Sequence, residues 1–169
     1  DVGEKLIQDN RVPLVSFTGS TGMGKRVGVV VGGRLGSTIL ELGGNNAVIV
    51  TKSADLKLAA QNILFGAVGT CGQRCTSTRR VIVKDSVYDD FKNLLLSYYD
   101  KVTICSPLDE NKLMGPMINV DAVEKMMQAL EIIKEQGGTF IIKGGRLEGE
   151  SYPGGCYVKP AVAEVAPDI

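Results

Sequence analysis

Cys75 is the residue of this sequence best placed to act as a nucleophile. It lies in the segment Gly72-Gln73-Arg74-Cys75-Thr76-Ser77, which is rich in glycine and hydroxyl side chains. The positive charge of Arg74 favours the thiolate form of a neighbouring cysteine, and backbone N–H groups of such a turn can stabilise an oxyanion. A buried structural cysteine explains the residue equally well. Cys71 gives C-x-x-x-C rather than the C-x-x-C spacing of a redox pair, which argues against a thiol redox or sensor protein.

Glu41 is the candidate general base. It lies near the end of an apolar strand and is followed by Gly43-Gly44, so its carboxylate faces whatever space the glycines leave open. The sequence contains no histidine, which excludes Ser-His and Cys-His dyads and histidine metal sites. Acid–base chemistry therefore falls to carboxylates, Lys, Tyr or Cys. Taken alone, Glu41 is more simply explained as an exposed glutamate at a strand end.

A third segment, Phe17-Thr18-Gly19-Ser20-Thr21-Gly22-Met23-Gly24, runs from a strand into a helix. The first N–H groups of a helix and its dipole favour a phosphate, and small residues let one approach. Ser20 or Thr21 can add a hydroxyl hydrogen bond. The spacing is neither G-x-G-x-x-G nor a P-loop, although Lys25 follows. Taken alone, the segment is better explained as a plain turn with an N-cap.

Composition limits the classes of function. The chain has 169 residues, with 19 Lys+Arg and 19 Asp+Glu, so its formal net charge is zero. This balance argues against nucleic acid or an anionic membrane as a partner, and no apolar stretch is long enough to span a bilayer. Four irregularly spaced cysteines indicate neither a disulfide framework nor a metal site. They favour a reduced, intracellular protein, either cytoplasmic or, in a eukaryote, mitochondrial.

The elements that position these residues follow an alternating pattern. Strands alternate with helices along the chain, which predicts an α/β fold with a largely parallel sheet. Strands are predicted at 14–18, 37–42, 47–50, 80–83 and 139–143, and helices from the glycine-rich segment to 31 and at 54–68, 86–102 and 119–136. Ser53 is the predicted N-cap of the helix at 54–68.

Taken together and in this order, Phe-Thr-Gly-Ser-Thr, Glu-Leu-Gly-Gly and Gly-Gln-x-Cys-Thr-Ser resemble the aldehyde dehydrogenase superfamily. Glu41 lies 34 residues before Cys75, close to the family's separation of general base and nucleophile. The resemblance continues to Pro160 and covers essentially the whole chain. Glu-Leu-Gly-Gly-Asn-Asn-Ala and Val-Gly-Thr-x-Gly-Gln-Arg-Cys-Thr are similar to the antiquitin branch, the α-aminoadipic semialdehyde dehydrogenases. Many other members have Lys where this chain has Asn45.

The resemblance implies a division of roles. The Cys75 thiolate attacks a small-molecule aldehyde, hydride passes to NAD (or NADP), and water activated by Glu41 hydrolyses the thioester to the acid. A guanidinium beside the nucleophile suits the distal carboxylate of an amino-acid semialdehyde, as in lysine catabolism. The implied substrate-binding residues are Arg74 and Thr76, and the implied cofactor-binding residues are Gly19, Ser20, Thr21, Gly24, Glu41 and Leu42.

The resemblance also implies a domain organisation. Residues 1–42 correspond to the end of a Rossmann-like NAD-binding domain, and residues 43–169 to the first part of the α/β catalytic domain. The chain is then expected to be an internal stretch of a homo-oligomeric enzyme, a dimer or tetramer, and to be inactive alone. The alternative is a non-catalytic domain of the same fold that acts as a binding or structural module.

Overall fold

The structure, a computed structural model, describes residues 1–110 and 112–167, and it confirms the predicted α/β fold class. Asn111, in the segment between the helices predicted at 86–102 and 119–136, and the last two residues of the predicted second domain lie outside that part. The helices are α1 (Val2–Gln8), α2 (Thr21–Gly33), α3 (Leu56–Val68), α4 (Tyr88–Tyr99) and α5 (Val120–Glu135). The strands are β1 (Leu14–Thr18), β2 (Ser37–Glu41), β3 (Ala47–Val50), β4 (Arg80–Val83), β5 (Thr139–Arg146) and β6 (Val158–Glu164).

Contacts along the backbone divide the chain into two compact units. The first consists of residues 1–45 together with the tripeptide 74–76. The second consists of residues 46–73 and the chain from Ser77 onward. The domain boundary expected after Leu42 stays a prediction.

The first unit is built on a parallel pair of strands. β1 lies beside β2 with Thr18 opposite Glu41, so both strands end at the same edge. Valines and an isoleucine from α1, β1 and α2 form its core, because their spacing puts them on the faces that meet. The buried members of this core are Ile7, Val15, Val27 and Val31.

The end of α2 differs from the prediction. The helix was expected to end at Val31, but it continues through Gly32 and Gly33. The helix ends in a turn in which Gly36 N–H donates to the Val31 carbonyl at 2.9 Å. The turn depends on Leu35, which has the left-handed φ of 61° and a side chain that is 96% exposed. Glycines are tolerated inside the helix since they still form its hydrogen bonds.

The second unit begins with the parallel pair β3 and β4, which pack against α3 and α4. Its first core cluster contains Phe91, which is 2% exposed, and Ala60, which is fully buried. Asp55 rather than the predicted Ser53 caps α3, accepting from Leu58 N–H at 3.0 Å. The Ser53 hydroxyl instead pairs with that of Thr51 in the preceding turn, so the helix begins two residues later than predicted.

The sheet arrangement also corrects the prediction. The described strands form three separate pairs instead of one largely parallel sheet. β5 and β6 are antiparallel, with an irregularity between Phe140 and Ile142. The predicted helix at 86–102 is shorter than expected, because Asp85–Val87 forms a short 3-10 turn before α4 starts at Tyr88. A second core cluster beneath α5 includes Val123, Met114 and Val158.

Candidate active site

The predicted cofactor-binding residues meet at one edge of the first unit. Gly19 N–H, just after β1, donates to the Glu41 carbonyl at the end of β2, at 3.1 Å. α2 then begins at Thr21. The segment from strand to helix is therefore fixed beside Glu41.

Ser20 is the N-cap of α2. Its Oγ accepts from Met23 N–H at 3.3 Å, and its carbonyl accepts from Gly24 N–H at 2.8 Å. The structure therefore has the N-capped turn that was one of the two interpretations of this segment from the sequence. It does not oppose anion binding, because the first N–H groups of a helix have no partner within the helix. Thr21 and Gly22 are exposed, and a Cβ added at Gly22 would meet nothing within 4 Å.

Gly24 allows α2 to pack closely on the segment after β2. A Cβ at this buried position would lie 2.3 Å from Leu42 Cδ2, far inside van der Waals contact. Glycine here is favoured by the close packing of the Leu42 side chain on α2 rather than by a special φ. Six of the predicted site residues are in this way brought together: Gly19, Ser20, Thr21, Gly24, Glu41 and Leu42.

The remaining predicted residues form the Cys75 turn, which we define as residues 74–76. The structure assigns this tripeptide to the first unit, the one that contains Glu41. Cys75 and Thr76 are exposed and Arg74 is half-buried. An exposed thiol can meet a substrate, so the turn fits the predicted role better than it fits a buried structural cysteine.

A strained turn precedes residues 74–76. Gly69–Gly72 forms a 3-10 turn in which Thr70 and Cys71 have φ of 57° and 54° and Gly72 has φ of 68°. The left-handed region is costly for residues with a Cβ. Burial raises the pKa of the Cys71 thiol to about 11. Cys71 therefore stays protonated near neutral pH and is a poor nucleophile.

Sequence reasoning missed two side-chain amides next to the Cys75 turn. Gln73 hydrogen-bonds to the segment at Pro116 and Ile118, and Asn46 hydrogen-bonds to the Ser77 carbonyl. Their partners lie 31 to 45 positions away along the chain, so no local pattern reveals the contacts. Gln73 belongs to the quoted motif but carried no predicted role.

The second unit contains a cavity of about 600 Å³. Apolar side chains from α3, α5 and β6 line it, and burial raises the pKa of Tyr99 on its wall to about 12. Among the described residues that line it, none is a predicted site residue.

The comparison with known families decides the relationship. The sequence matches the aldehyde dehydrogenase family over residues 1–169. This chain belongs to the aldehyde dehydrogenase family. The prediction from three short motifs is confirmed over the whole chain.

Curated relatives of this chain belong to the branch that its motifs resemble. It is 44% identical over 168 residues to aldehyde dehydrogenase family 7 member B4 of Arabidopsis thaliana, covering 99% of this chain and 32% of the relative. It is 43% identical over 162 residues to the alpha-aminoadipic semialdehyde dehydrogenase of Mus musculus, covering 96% of this chain and 29% of the relative. The chain thus spans about a third of the length of the curated relatives it matches.

A solved structure of the family has the same fold. Betaine aldehyde dehydrogenase from Staphylococcus aureus, in complex with NAD+, superposes with a TM-score of 0.90 at 29% identity. The match covers 96% of this chain and 32% of that one. No helix in the described part of the chain combines the length and apolar character that crossing a membrane requires. The intracellular location and the homo-oligomeric state stay predictions.

Proposed function

We propose that the chain supplies the nucleophile, the general base and part of the cofactor site of an NAD-dependent aldehyde dehydrogenase that oxidises an amino-acid semialdehyde to its acid. The observation that carries this is the grouping of the Cys75 turn with Glu41 in the first unit. The same unit holds the α2 N-terminus beside Glu41. The family relationship and the NAD+ complex of the S. aureus relative support it.

Cys75 starts the proposed reaction. Its thiolate forms a C–S bond to the aldehyde carbon, and the carbonyl oxygen becomes an alkoxide. The Cys75 backbone N–H stabilises that alkoxide, which requires donors fixed in place before the reaction. The exposure of Cys75 supports this role, since the sulfur must reach a substrate.

The α2 N-terminus is the proposed pyrophosphate site. The exposed Thr21 and Gly22 and the close packing of Gly24 on Leu42 leave backbone N–H groups open to an anion. The residues therefore fit a dinucleotide at this edge. When bound there, NAD supplies the hydride acceptor that turns the alcohol-level adduct into an acyl group on sulfur.

Glu41 completes the proposed cycle. Its carboxylate takes a proton from a water molecule as the water oxygen attacks the acyl carbon, and the C–S bond breaks to release the carboxylic acid. Glu41 is exposed at the end of β2, so water can reach it. The chain has no histidine that could take this proton instead.

The substrate class rests on Arg74 and on the relatives. A guanidinium flanking the nucleophile can hold a carboxylate in a bidentate pair, which favours an aldehyde with a distal carboxylate. A relative that is 43% identical is an alpha-aminoadipic semialdehyde dehydrogenase.

A steady-state assay of the whole dehydrogenase tests the proposal. NADH formation is followed with α-aminoadipic semialdehyde and, in parallel, with betaine aldehyde, which carries a cation instead of a carboxylate. We expect a higher kcat/KM for the semialdehyde, and we expect Arg74→Met to remove that preference with little change for betaine aldehyde. Equal kcat/KM for both aldehydes, or activity with NADP alone, would contradict the proposed substrate or cofactor.

A further inference from the structure

We propose that Gln73 and Asn46 are positioning residues that hold the two ends of the Cys75 turn. Gln73 lies directly before the tripeptide and Ser77, the partner of Asn46, lies directly after it. The inference rests on the proposed nucleophilic role of Cys75. We call the two side chains the amide anchors.

The first anchor uses both ends of its carboxamide. Gln73 Oε1 accepts from Ile118 N–H at 2.8 Å. Its Nε2 donates to the Thr70 carbonyl at 3.2 Å and to the Pro116 carbonyl at 3.5 Å. The Gln73 backbone N–H also donates to Thr70, at 3.1 Å. One side chain thus joins the strained 3-10 turn to a segment more than 40 residues later.

The segment that Gln73 grips is itself fixed. Met117 N–H donates to the Cys156 carbonyl at 2.8 Å. Asn119 caps α5, and its side chain accepts from Ala122 N–H at 2.9 Å. An anchor restrains a turn only if its partner does not move with it, and these bonds meet that condition.

The second anchor holds the chain just after the turn. Asn46 Nδ2 donates to the Ser77 carbonyl at 3.0 Å. The Asn46 carbonyl accepts from the N–H groups of Arg79 and Arg80 at 3.1 and 3.0 Å. Ser77 is only 2% exposed, so water has little access to its carbonyl to replace the hydrogen bond from Asn46.

A glycine supports the second anchor. Thr78 N–H donates to the Gly66 carbonyl of α3 at 3.0 Å. A Cβ at Gly66 would lie 2.6 Å from Thr78 Oγ1, so a larger residue would require the Thr78 side chain to move. The chain after Cys75 is therefore held by α3 as well as by Asn46.

Restraint at both ends of the turn matters because two of its three residues are exposed. Cys75 and Thr76 are exposed, and three left-handed residues precede them. A nucleophile displaced by about 1 Å can lose about 100-fold in rate. Fixing residues 73 and 77 limits the positions that the thiol between them can take.

Four substitutions separate positioning from mere stability. Gln73→Met keeps the size and removes every side-chain hydrogen bond, whereas Gln73→Glu keeps the acceptor for Ile118 N–H and loses the donors. Asn46→Asp loses the donor to Ser77. Asn62→Asp is the matched control, because Asn62 Nδ2 also donates to a backbone carbonyl, that of Leu58 at 2.8 Å, on the exposed face of α3.

For each of the four variants, kcat and KM are measured on the whole dehydrogenase, and amide hydrogen exchange is measured on the chain. We expect Gln73→Met and Asn46→Asp to lower kcat about 100-fold with little change in KM. Exchange at residues 74–77 should become faster by a similar factor. Gln73→Glu should retain an intermediate kcat, and Asn62→Asp should match the wild type in both readouts.

Two results would overturn the inference. One is unchanged exchange at residues 74–77 in both anchor variants, which would show that the amides do not restrain the turn. The other is faster exchange with an unchanged kcat, which would show that the restraint does not serve the reaction. A different result would show that the proposed function itself is wrong: Cys75→Ala would leave kcat unchanged. The exchange data would then still show whether the amide anchors restrain the turn.

Discussion

The exposed residues of the first unit and the buried residues that flank the Cys75 turn differ in their proposed roles, chemistry for the former and structural support for the latter. Glu41, Ser20 and Cys75 are exposed, as their proposed contacts with water, a cofactor and an aldehyde require. Val68 and Ser77, on either side of the glycine-rich segment, are 3% and 2% exposed. The proposed chemistry thus depends on exposed side chains, whereas the segments that flank the Cys75 turn are fixed by buried ones. Substitutions of Glu41 and Cys75 should change rates with little effect on folding, whereas loss of the Ser20 cap and substitutions in packed positions should lower stability.

Cys75→Ala is the strongest test of the exposed group. It should abolish NADH formation, because the other thiol of the motif, Cys71, is protonated near neutral pH and cannot replace Cys75 as the nucleophile. The free energy of unfolding should change by less than about 0.5 kcal/mol, as is usual at an exposed site. The measurement is NADH formation in the whole dehydrogenase, paired with urea unfolding of the chain. Cys105→Ala is the control, and it should leave turnover intact.

Glu41→Gln should have the next largest effect. Loss of a positioned general base lowers steady-state turnover about 100- to 10,000-fold. Acylation should survive, so rapid mixing should still show a burst of NADH, in contrast to Cys75→Ala. If the burst vanishes as completely as for Cys75→Ala, Glu41 acts before deacylation and the assigned role is wrong.

Glycine substitutions in α2 test a packed position within the site. Gly24→Ala places a Cβ against Leu42, whereas Gly32→Ala places one in open space on the same helix. Gly24→Ala should therefore be less stable than Gly32→Ala by about 1 to 3 kcal/mol, the usual cost of overpacking. Urea unfolding of both variants measures the difference. Equal stabilities would mean that α2 does not depend on the close approach to Leu42.

Leu35→Gly should give the smallest effect. It relieves a left-handed residue whose side chain is 96% exposed, and should stabilise the chain by about 0.5 to 1 kcal/mol. Leu108→Gly is the matched control: its side chain is 91% exposed, and Leu108 is not among the positive-φ residues of the described chain. That variant should be neutral or slightly destabilised. The same shift in both would exclude backbone strain as the cause.

Much of the fold could be predicted, since apolar alternation and helical spacing are local signals. The strands at Leu14–Thr18, Ala47–Val50 and Arg80–Val83 have the predicted bounds. The predicted N-cap of α3, Ser53, was wrong. Serine and aspartate are both favourable N-cap residues, and only the geometry of the turn determines that Asp55 takes this position. The pairing of the strands depends on contacts distant in sequence, which no local pattern encodes.

The candidate site was predictable to a different degree. The motif order predicted the family, and the residues predicted to bind the cofactor do meet at one edge of the first unit. Gln73 and Asn46 could not be assigned, because their partners are fixed only once the chain has folded. The roles of Glu41 and Cys75 stay predictions.

The reactivity of the four cysteines tests the central claim most directly. Burial raises the pKa of Cys71 to about 11, and burial together with the Asp109 carboxylate raises that of Cys105. At about pH 8, only about a thousandth of Cys71 is then thiolate. Limiting iodoacetamide followed by mass spectrometry of the chain should label Cys75 first and Cys71 last. Preferential labelling of Cys71, Cys105 or Cys156 would contradict the assignment of Cys75 as the nucleophile.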